Sequence, residues 1–214
     1  MNEAQIAQIV EQVVSQMHKG SKGTSQYSQN HLLNGEIGGR GVHPTVEQAV
    51  DSAQRAFKDL HDCSLQDRER FIEALRVKTL EELETISQMA VQETGLGRTL
   101  DKIEKNRLVV EKTPGTEALT PTANTGDHGL TLTEYAPYGV IGSITPCTNP
   151  TETILNNGIG MLAAGNSVVF NTHPNAKRVS AYFIDKLNSA IEQVGGPSNP
   201  VSYTHLTLPT ICSV

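Results

Sequence analysis

The feature that most constrains the fold is an alternation of short apolar runs and longer helical patterns between residues 139 and 194. The runs GVIGSIT (139–145) and SVVF (167–170) are typical of buried parallel strands. Residues 149–165 and 177–194 carry helical patterns after these runs. Strand, helix, strand, helix at this spacing predicts a right-handed crossover unit, which is half of a dinucleotide-binding parallel sheet.

The ends of both helices are marked by residues that suit helix caps. Asn149 is expected to cap the first helix, with Pro150 in its first turn and Glu152 closing a capping box. Gly195 and Gly196 end the second helix, since glycine readily adopts the left-handed conformation found there. The sequence therefore predicts two helices with defined starts and stops.

Three further helices are predicted before this unit. Residues 44–60 show one apolar face and a cap at the start, residues 64–93 form a longer pattern, and residues 100–111 form a third. Residues 113–129 are rich in proline and glycine and are predicted to be loop, whereas 130–137 alternate like a half-exposed strand. We expect the two long helices, at 44–60 and 64–93, to cover one face of the sheet.

The N-terminal residues form a separate unit of sequence. Residues 1–19 predict an amphipathic helix, and residues 20–41 are rich in Gly, Ser, Gln and Asn, which is typical of a flexible linker. The helix either lies on its own domain or docks on a partner helix, and the linker favours the second interpretation. Its apolar stripe consists of Ile6, Ile9, Val10, Val13, Val14 and Met17.

Composition excludes several classes of protein. The net charge is −6 and no basic run occurs, which argues against nucleic acid and anionic membranes as partners. Cys63, Cys147 and Cys212 are far apart and have no metal-ligand spacing, so we expect free thiols in a reducing compartment and no metal site. No stretch of 18 apolar residues is present to span a bilayer, and we expect a soluble, cytoplasmic chain.

Three stretches carry a specific resemblance: QETGLGRTLDKIEKN (92–106), EKTPGTEALTP (111–121) and residues 125–180. Together they resemble the CoA-acylating aldehyde dehydrogenases of bacterial microcompartments, the propionaldehyde and acetaldehyde dehydrogenases of propanediol and ethanolamine utilisation. The resemblance runs from about residue 40 to residue 199. The N-terminal helix and linker also resemble the encapsulation peptide of that group.

The resemblance implies an α/β fold of the aldehyde dehydrogenase type, with N-terminal helices and the first part of a Rossmann-type parallel sheet, here truncated. Members convert a short-chain aldehyde, NAD and coenzyme A into acyl-CoA and NADH, inside a bacterial microcompartment and as homo-oligomers. Residues 42–199 would form a partial NAD- and CoA-binding domain. A shell or lumen protein would bind residues 1–18.

The loop from Pro146 to Pro150 carries the catalytic candidates that the resemblance implies. The wider family has an asparagine amide in the oxyanion hole of this loop, within the pattern Pro-x-Asn-x-Pro. Here Thr148 fills the asparagine position and Asn149 follows it, so both are candidates for the oxyanion donor. The family's nucleophilic cysteine lies beyond position 214, so Cys147 is expected to be a bystander and the chain as written to be inactive. Asn149 is alternatively a plain helix cap.

Cofactor-binding residues are expected at the ends of the two strands, because such sheets bind ligands there. Phe170 to Pro174 are expected to line an adenosine pocket, and His173 alternatively caps the next helix. No catalytic role is expected for the charged faces of the helices. The predicted cofactor residues are Ile144, Thr145, Pro146, Phe170, Asn171, Thr172, His173 and Pro174.

The last stretch does not match the family. Residues 200–214 read PVSYTHLTLPTICSV, without helical period, and resemble translated sequencing-adapter read-through. We therefore expect a tail that is foreign to the family pattern and does not continue the fold. A second function remains open at this point, in which the chain is a non-catalytic microcompartment-docking protein that carries a stub of a cofactor-binding fold.

Overall fold

The computed structural model of the protein describes residues 38–204. The predicted helix at 1–19, residues 20–37 of the predicted linker and residues 205–214 of the tail lie outside the described residues. The described part contains six strands and six α-helices. The helices are α1 (Val46–His61), α2 (Leu65–Glu81), α3 (Leu83–Thr94), α4 (Thr99–Lys112), α5 (Pro150–Ala163) and α6 (Lys177–Gln193).

A four-stranded parallel sheet forms the centre of the fold. Its strands are arranged in the order β1 (Val42–His43), β6 (Val201–Thr204), β5 (Ser167–Thr172) and β4 (Val140–Thr145). Strands β4 and β5 are in parallel register over six residue pairs. The predicted strand–helix–strand–helix unit is thereby confirmed, with α5 joining β4 to β5 and α6 following β5.

Helix α1 covers one face of the sheet. Val169 of β5 packs against Ala49 and Ala53 of α1. On the same face the hydroxyl of Ser167 donates a hydrogen bond of 2.8 Å to the carbonyl of Ala53. The predicted cap also forms, because the Thr45 hydroxyl oxygen accepts from the backbone N–H of Gln48.

Helices α5 and α6 cover the opposite face. Asn157 of α5 donates to the hydroxyl of Ser143 on β4 at 3.0 Å, which fixes that side of the strand. Helices α2, α3 and α4 lie over α5 and α6 as an outer layer. Within residues 38–204 no helix combines the length and the apolar character needed to cross a lipid bilayer.

The long helix predicted at residues 64–93 is in fact two helices, α2 and α3, with a break at Glu82. Glu82 has φ −94° and ψ 3°, and its carboxylate accepts a hydrogen bond of 2.7 Å from the hydroxyl of Tyr182 on α6. Burial, together with the contact to Glu82, raises the pKa of Tyr182, so its hydroxyl stays protonated as the donor. This tertiary contact is invisible to a helical-period search, which explains the missed break.

The predicted loop at 113–129 contains a strand that we did not expect. Strand β2 (Thr122–Gly126) pairs in antiparallel fashion with β3 (Gly129–Thr133). All ten residues of this two-stranded hairpin are exposed. The buried alternation that identifies a strand in a sequence is therefore lacking in β2. Strand β3 overlaps the predicted strand at 130–137 but ends at Thr133.

Two predicted boundaries also move. Arg40, at the end of the predicted linker, is fixed on α6, where its backbone N–H and its Nε donate to Asp185 and Glu192 at 2.8 and 3.0 Å. Val201–Thr204, from the tail expected to leave the fold pattern, forms the buried strand β6. Parallel strands pair through hydrogen bonds between backbone groups, which every residue type except proline can form. Strand pairing at Val201–Thr204 therefore does not require that these residues match the family in sequence. The foreign origin of residues 200–214 stays a prediction.

Arg68 of α2 connects the outer layer to the end of α5. Its Nη1 donates a 2.7 Å hydrogen bond to the carbonyl of Ala163, in the last turn of α5. The last carbonyls of a helix have no partner inside the helix, and a cation there also suits the helix dipole. Arg68 thus holds α5 in the position from which its first turn meets the loop at 146–150.

We predict that Arg68→Met lowers the free energy of unfolding by about 1.5–3 kcal/mol, because a charged hydrogen bond to a part-buried carbonyl is lost. The matched control is Arg70→Met, which removes an exposed ion pair with Asp67 and should cost about 0–1 kcal/mol. Urea unfolding of the two variants measures the difference. Equal losses would contradict an anchoring role for Arg68.

Candidate functional site

The carboxyl ends of β4 and β5 bring the predicted cofactor residues together. The parallel register places Ile144 beside Asn171 and Thr145 beside Thr172. The backbone N–H of His173 donates to the carbonyl of Thr145 at 3.2 Å, which extends the pairing past the end of β5. Side chains that are 27 residues apart in sequence therefore meet at one edge of the sheet.

Strand alternation separates these residues into two groups. Ile144 is 75% exposed and, with the part-exposed Asn171, lies on the α1 face. Thr145 and Thr172 are buried on the α5–α6 face. The edge thus offers ligands one apolar and one polar side chain on the α1 face.

Phe170 is the predicted cofactor residue that does not fit an open pocket. It is 0% exposed and lies on the α5–α6 face, opposite to Val169. An apolar residue in the centre of a parallel strand is buried on either face, and the sequence alone does not say which face is open. Phe170 is therefore a core residue of the described chain.

His173 acts as a local cap in the structure. Its Nδ1 accepts a 3.1 Å hydrogen bond from the backbone N–H of Asn175, at the start of the short 3-10 turn Pro174–Ala176. This hydrogen bond agrees with the alternative interpretation of His173 as a surface cap, and its place in an adenosine pocket stays a prediction. Its imidazole and Pro174 are exposed beside the end of β5, as is Pro146 beside the end of β4.

Asn149 stands at the N-cap of α5 but does not cap it. Its side chain makes no capping hydrogen bond within residues 38–204, and its Oδ1 is buried with no partner among them. The expected capping box with Glu152 is therefore wrong, although Pro150 does begin the helix. Ordinary N-cap side chains accept a hydrogen bond from a free backbone N–H. Asn149 does not, so stabilisation of the helix end does not explain this residue, and its buried Oδ1 without a partner costs free energy of folding.

Glu152 is instead engaged in a buried ion pair. Its Oε1 lies 3.3 Å from Nζ of Lys102 on α4, and the two residues are 6% and 3% exposed. Lys102 Nζ also donates to the carbonyl of Thr148, and the hydroxyl of Thr151 donates to Glu152 at 3.1 Å. The loop that carries both oxyanion candidates is thus tied to α4.

We did not predict this pair from the sequence. The sequence offers only the spacing of four between Lys102, Asn106 and Val110, which places them on one face of α4, and the structure shows that this face is buried. A lysine on the buried face of a helix calls for a buried partner.

A groove of about 300 Å³ runs between α4 and the start of α5 and reaches Asn149. Its walls combine apolar side chains of α4 with polar side chains of α5. Thr148 is exposed, whereas Cys147 is a part-buried free thiol. Groove residues are Lys105, Leu108, Val109, Asn149, Glu152, Thr153 and Asn156. We call this space the α4–α5 groove.

The geometry of the loop suits the binding of a small polar group. The Asn149 amide carries two N–H donors on Nδ2, and no hydrogen bond to the rest of the described chain uses them. Such a donor in the lining of a groove is able to bind a carbonyl oxygen or an oxyanion. No three His, Cys, Asp or Glu side chains of the described part come together as a possible metal site.

Comparison with family models assigns most of the chain. The model of the aldehyde dehydrogenase family matches residues 39–205, which include the whole sheet and every candidate site residue. The match extends into the tail as far as residue 205.

Curated relatives agree with this match. The chain is 48% identical over 159 residues to the propanal dehydrogenase (CoA-propanoylating) of Citrobacter freundii, covering 74% of this chain and 34% of that protein. It is 41% identical over 199 residues to an acetaldehyde dehydrogenase (acetylating) of Salmonella typhimurium, covering 93% of this chain and 40% of that protein. The chain thus spans about two fifths or less of these relatives.

Solved structures show the same fold. A propionaldehyde dehydrogenase of Rhodopseudomonas palustris, with bound CoA and an acylated cysteine, is 51% identical with a TM-score of 0.75, over 77% of this chain and 38% of that one. One from the fucose utilisation microcompartment of Clostridium phytofermentans is 49% identical with a TM-score of 0.77, over 79% and 39%. An engineered glycolyl-CoA reductase with bound NADP⁺ is 51% identical with a TM-score of 0.75, over 77% and 38%.

We predict that Asn149→Ala leaves the free energy of unfolding unchanged or raises it, because the variant removes a buried acceptor without a partner. The control is Ser64→Ala, which removes a cap that accepts from the backbone N–H of Asp67 at 3.1 Å and should cost about 0.5–2 kcal/mol. Chemical denaturation of both variants gives the comparison. A loss at Asn149 as large as that at Ser64 would identify it as an ordinary cap.

Proposed function

The chain belongs to the aldehyde dehydrogenase family, and from that premise we propose that it is the N-terminal part of a CoA-acylating member. The reaction is the oxidation of a short-chain aldehyde with NAD and coenzyme A to acyl-CoA and NADH. The observation that carries the proposal is Asn149, an N-cap residue whose side chain caps nothing and whose amide reaches the α4–α5 groove. The CoA-acylating relatives support the choice of reaction.

In this proposal Asn149 is the oxyanion donor. When a thiolate attacks an aldehyde carbon, negative charge develops on the carbonyl oxygen, and a preorganised donor there lowers the barrier. Nδ2 of Asn149 is able to donate without breaking a bond to the described chain. Thr148 is the weaker candidate, because it is exposed and does not line the α4–α5 groove. The attacking cysteine is supplied by a segment outside this chain.

The α4–α5 groove is proposed to admit the aldehyde. Leu108 and Val109 give it an apolar wall, which suits a short alkyl chain, and Asn149 is part of its lining. A volume of about 300 Å³ is at the small end of ligand sites. The groove therefore favours a small aldehyde over a bulky one.

The carboxyl ends of β4 and β5 are proposed to hold the adenosine part of the cofactor. The residues fit this group, because Ile144 offers an exposed apolar surface to a ring and Asn171 beside it offers a neutral polar group. His173 and Pro174 form the rim, while Thr145 and Thr172 support the strand ends from the buried face. When bound, the nicotinamide supplies the acceptor for the hydride of the aldehyde. Coenzyme A enters as the second substrate.

The activity is tested with a chimera in which residues 1–199 of this chain replace the matching part of the Citrobacter freundii propanal dehydrogenase, the 48% identical relative. We expect CoA-dependent reduction of NAD with propanal. Asn149→Ala in the chimera should lower kcat by about 100- to 1000-fold, the usual cost of losing an oxyanion donor. The intact relative is the positive control.

Two results would contradict the proposal. A folded chimera without activity would show that this chain cannot serve as the N-terminal part of such an enzyme, and would favour the docking-protein alternative. Full activity of the Asn149→Ala chimera together with a large loss in Thr148→Ala would assign the donor to Thr148.

We further propose that the whole protein is housed in a bacterial microcompartment and is targeted there by residues 1–18. The apolar stripe of these residues and the similar microcompartment enzyme of Clostridium phytofermentans support this. Deletion of residues 1–20 should abolish co-sedimentation with purified shells and leave circular dichroism of the remaining domain intact. Replacing Ile9 and Val13 by Asp should have the same effect. Unchanged co-sedimentation of both variants would contradict targeting by this segment.

A further inference from the structure

We propose that the buried ion pair of Lys102 and Glu152 positions the oxyanion loop, so that both are positioning residues for the reaction. The inference rests on the proposed function of Asn149. It assigns a role to two buried charges, of which Lys102 lies outside the α4–α5 groove and Glu152 is part of its lining. Lys102 is 3% exposed and lies behind the loop, so its ammonium does not reach a ligand in the groove.

A buried ion pair contributes little net free energy to the stability of a fold. Removing two charges from water costs more than their attraction commonly returns, and well-packed apolar residues in the same place are often as stable. Lys102 and Glu152 lie on separate helices, 50 residues apart, and both are almost fully buried. A purely structural contact between α4 and α5 would therefore be served at least as well by apolar side chains.

What the charges provide is a fixed backbone at Thr148. Lys102 Nζ donates to the Thr148 carbonyl while Glu152 holds the same ammonium from α5. Because the peptide bond is planar and trans, a carbonyl directed at Lys102 turns the following N–H, that of Asn149, away from it. One ammonium thus sets the orientation of the whole peptide that leads into Asn149.

Asn149 depends on this support from outside its own side chain. Its amide makes no capping bond, and its Oδ1 has no partner in the part of the chain that the structure describes. The position of the side chain is then set by the backbone of Asn149. That backbone is restrained on one side by α5 and on the other by the hydrogen bond of the Thr148 carbonyl to Lys102. Glu152 contributes to both, since it lies in the first turn of α5 and is bound by Thr151 as well as by Lys102.

The test uses the chimera described above, with Lys102→Met, the double variant Lys102→Met with Glu152→Met, and Lys112→Met as the control on the exposed end of α4. Lys102→Met should lower kcat by about 100-fold, the lower range for loss of an oxyanion donor. The KM for the aldehyde should stay unchanged, because the interaction lost is one made in the transition state. Lys112→Met should behave as the unmodified chimera.

The double variant separates positioning from stability. Lys102→Met alone leaves Glu152 as an unpaired buried charge and should lower Tm, whereas the double variant removes both charges and should recover Tm. We expect kcat of the double variant to stay low, because the Thr148 carbonyl still lacks its anchor. Recovery of kcat together with Tm would overturn the proposal and leave the pair a structural contact.

A second readout does not need activity. In the 214-residue chain itself, the backbone amide resonance of Asn149 should move and its hydrogen exchange should accelerate in Lys102→Met, and neither should change in Lys112→Met. An unchanged Asn149 amide would overturn the positioning role. If the unmodified chimera is inactive while the amide responds as expected, the proposed function fails and the loop anchor stands.

Discussion

The parallel pairing of β4 with β5 is the interaction on which the rest of the structure depends. Because six residue pairs of β4 and β5 are in register, both strands end at the same edge of the sheet. Helix α5 begins shortly after β4 ends, so its first turn lies at that edge too. The loop Pro146–Pro150 and the residues around Asn171 are therefore neighbours as a result of backbone hydrogen bonds alone. Because strand pairing uses backbone groups, it places little restriction on the side chains at the strand ends, and these side chains can be suited to ligand binding.

Charged side chains fix the helices around that sheet. Lys102 and Glu152 join α4 to the start of α5, and Arg68 binds its last turn. Glu93 accepts from the backbone N–H groups of Arg178 and Val179, each at 2.7 Å, and so fills the N-terminus of α6. That helix end is commonly a phosphate site in such folds, and here a carboxylate already satisfies it. We therefore look for the ligand at the strand edge and the α4–α5 groove.

The sequence was sufficient to predict the helices and strands that have a clear hydrophobic period. It was a poor guide to features that depend on tertiary contacts. The strands expected at 139–145 and 167–170 and the helices after them were predicted, because short apolar runs and a helical period are local signals. The break at Glu82 and the burial of Lys102 were missed, since each depends on a partner about 50 to 100 residues away. At the site, the grouping of Ile144 with Asn171 followed from topology, whereas the open face did not, and Phe170 was misplaced for that reason.

The central claim is that Asn149 donates to the oxygen of the aldehyde as it becomes negative. The most direct test is a crystal structure of the chimera with an aldehyde trapped as its tetrahedral adduct on the nucleophilic cysteine. We predict Nδ2 of Asn149 at about 2.7–3.1 Å from the adduct oxygen, with the Thr148 carbonyl still on Lys102. An adduct oxygen bound by Thr148 or by water, with Asn149 turned into α5 as a cap, would contradict the account.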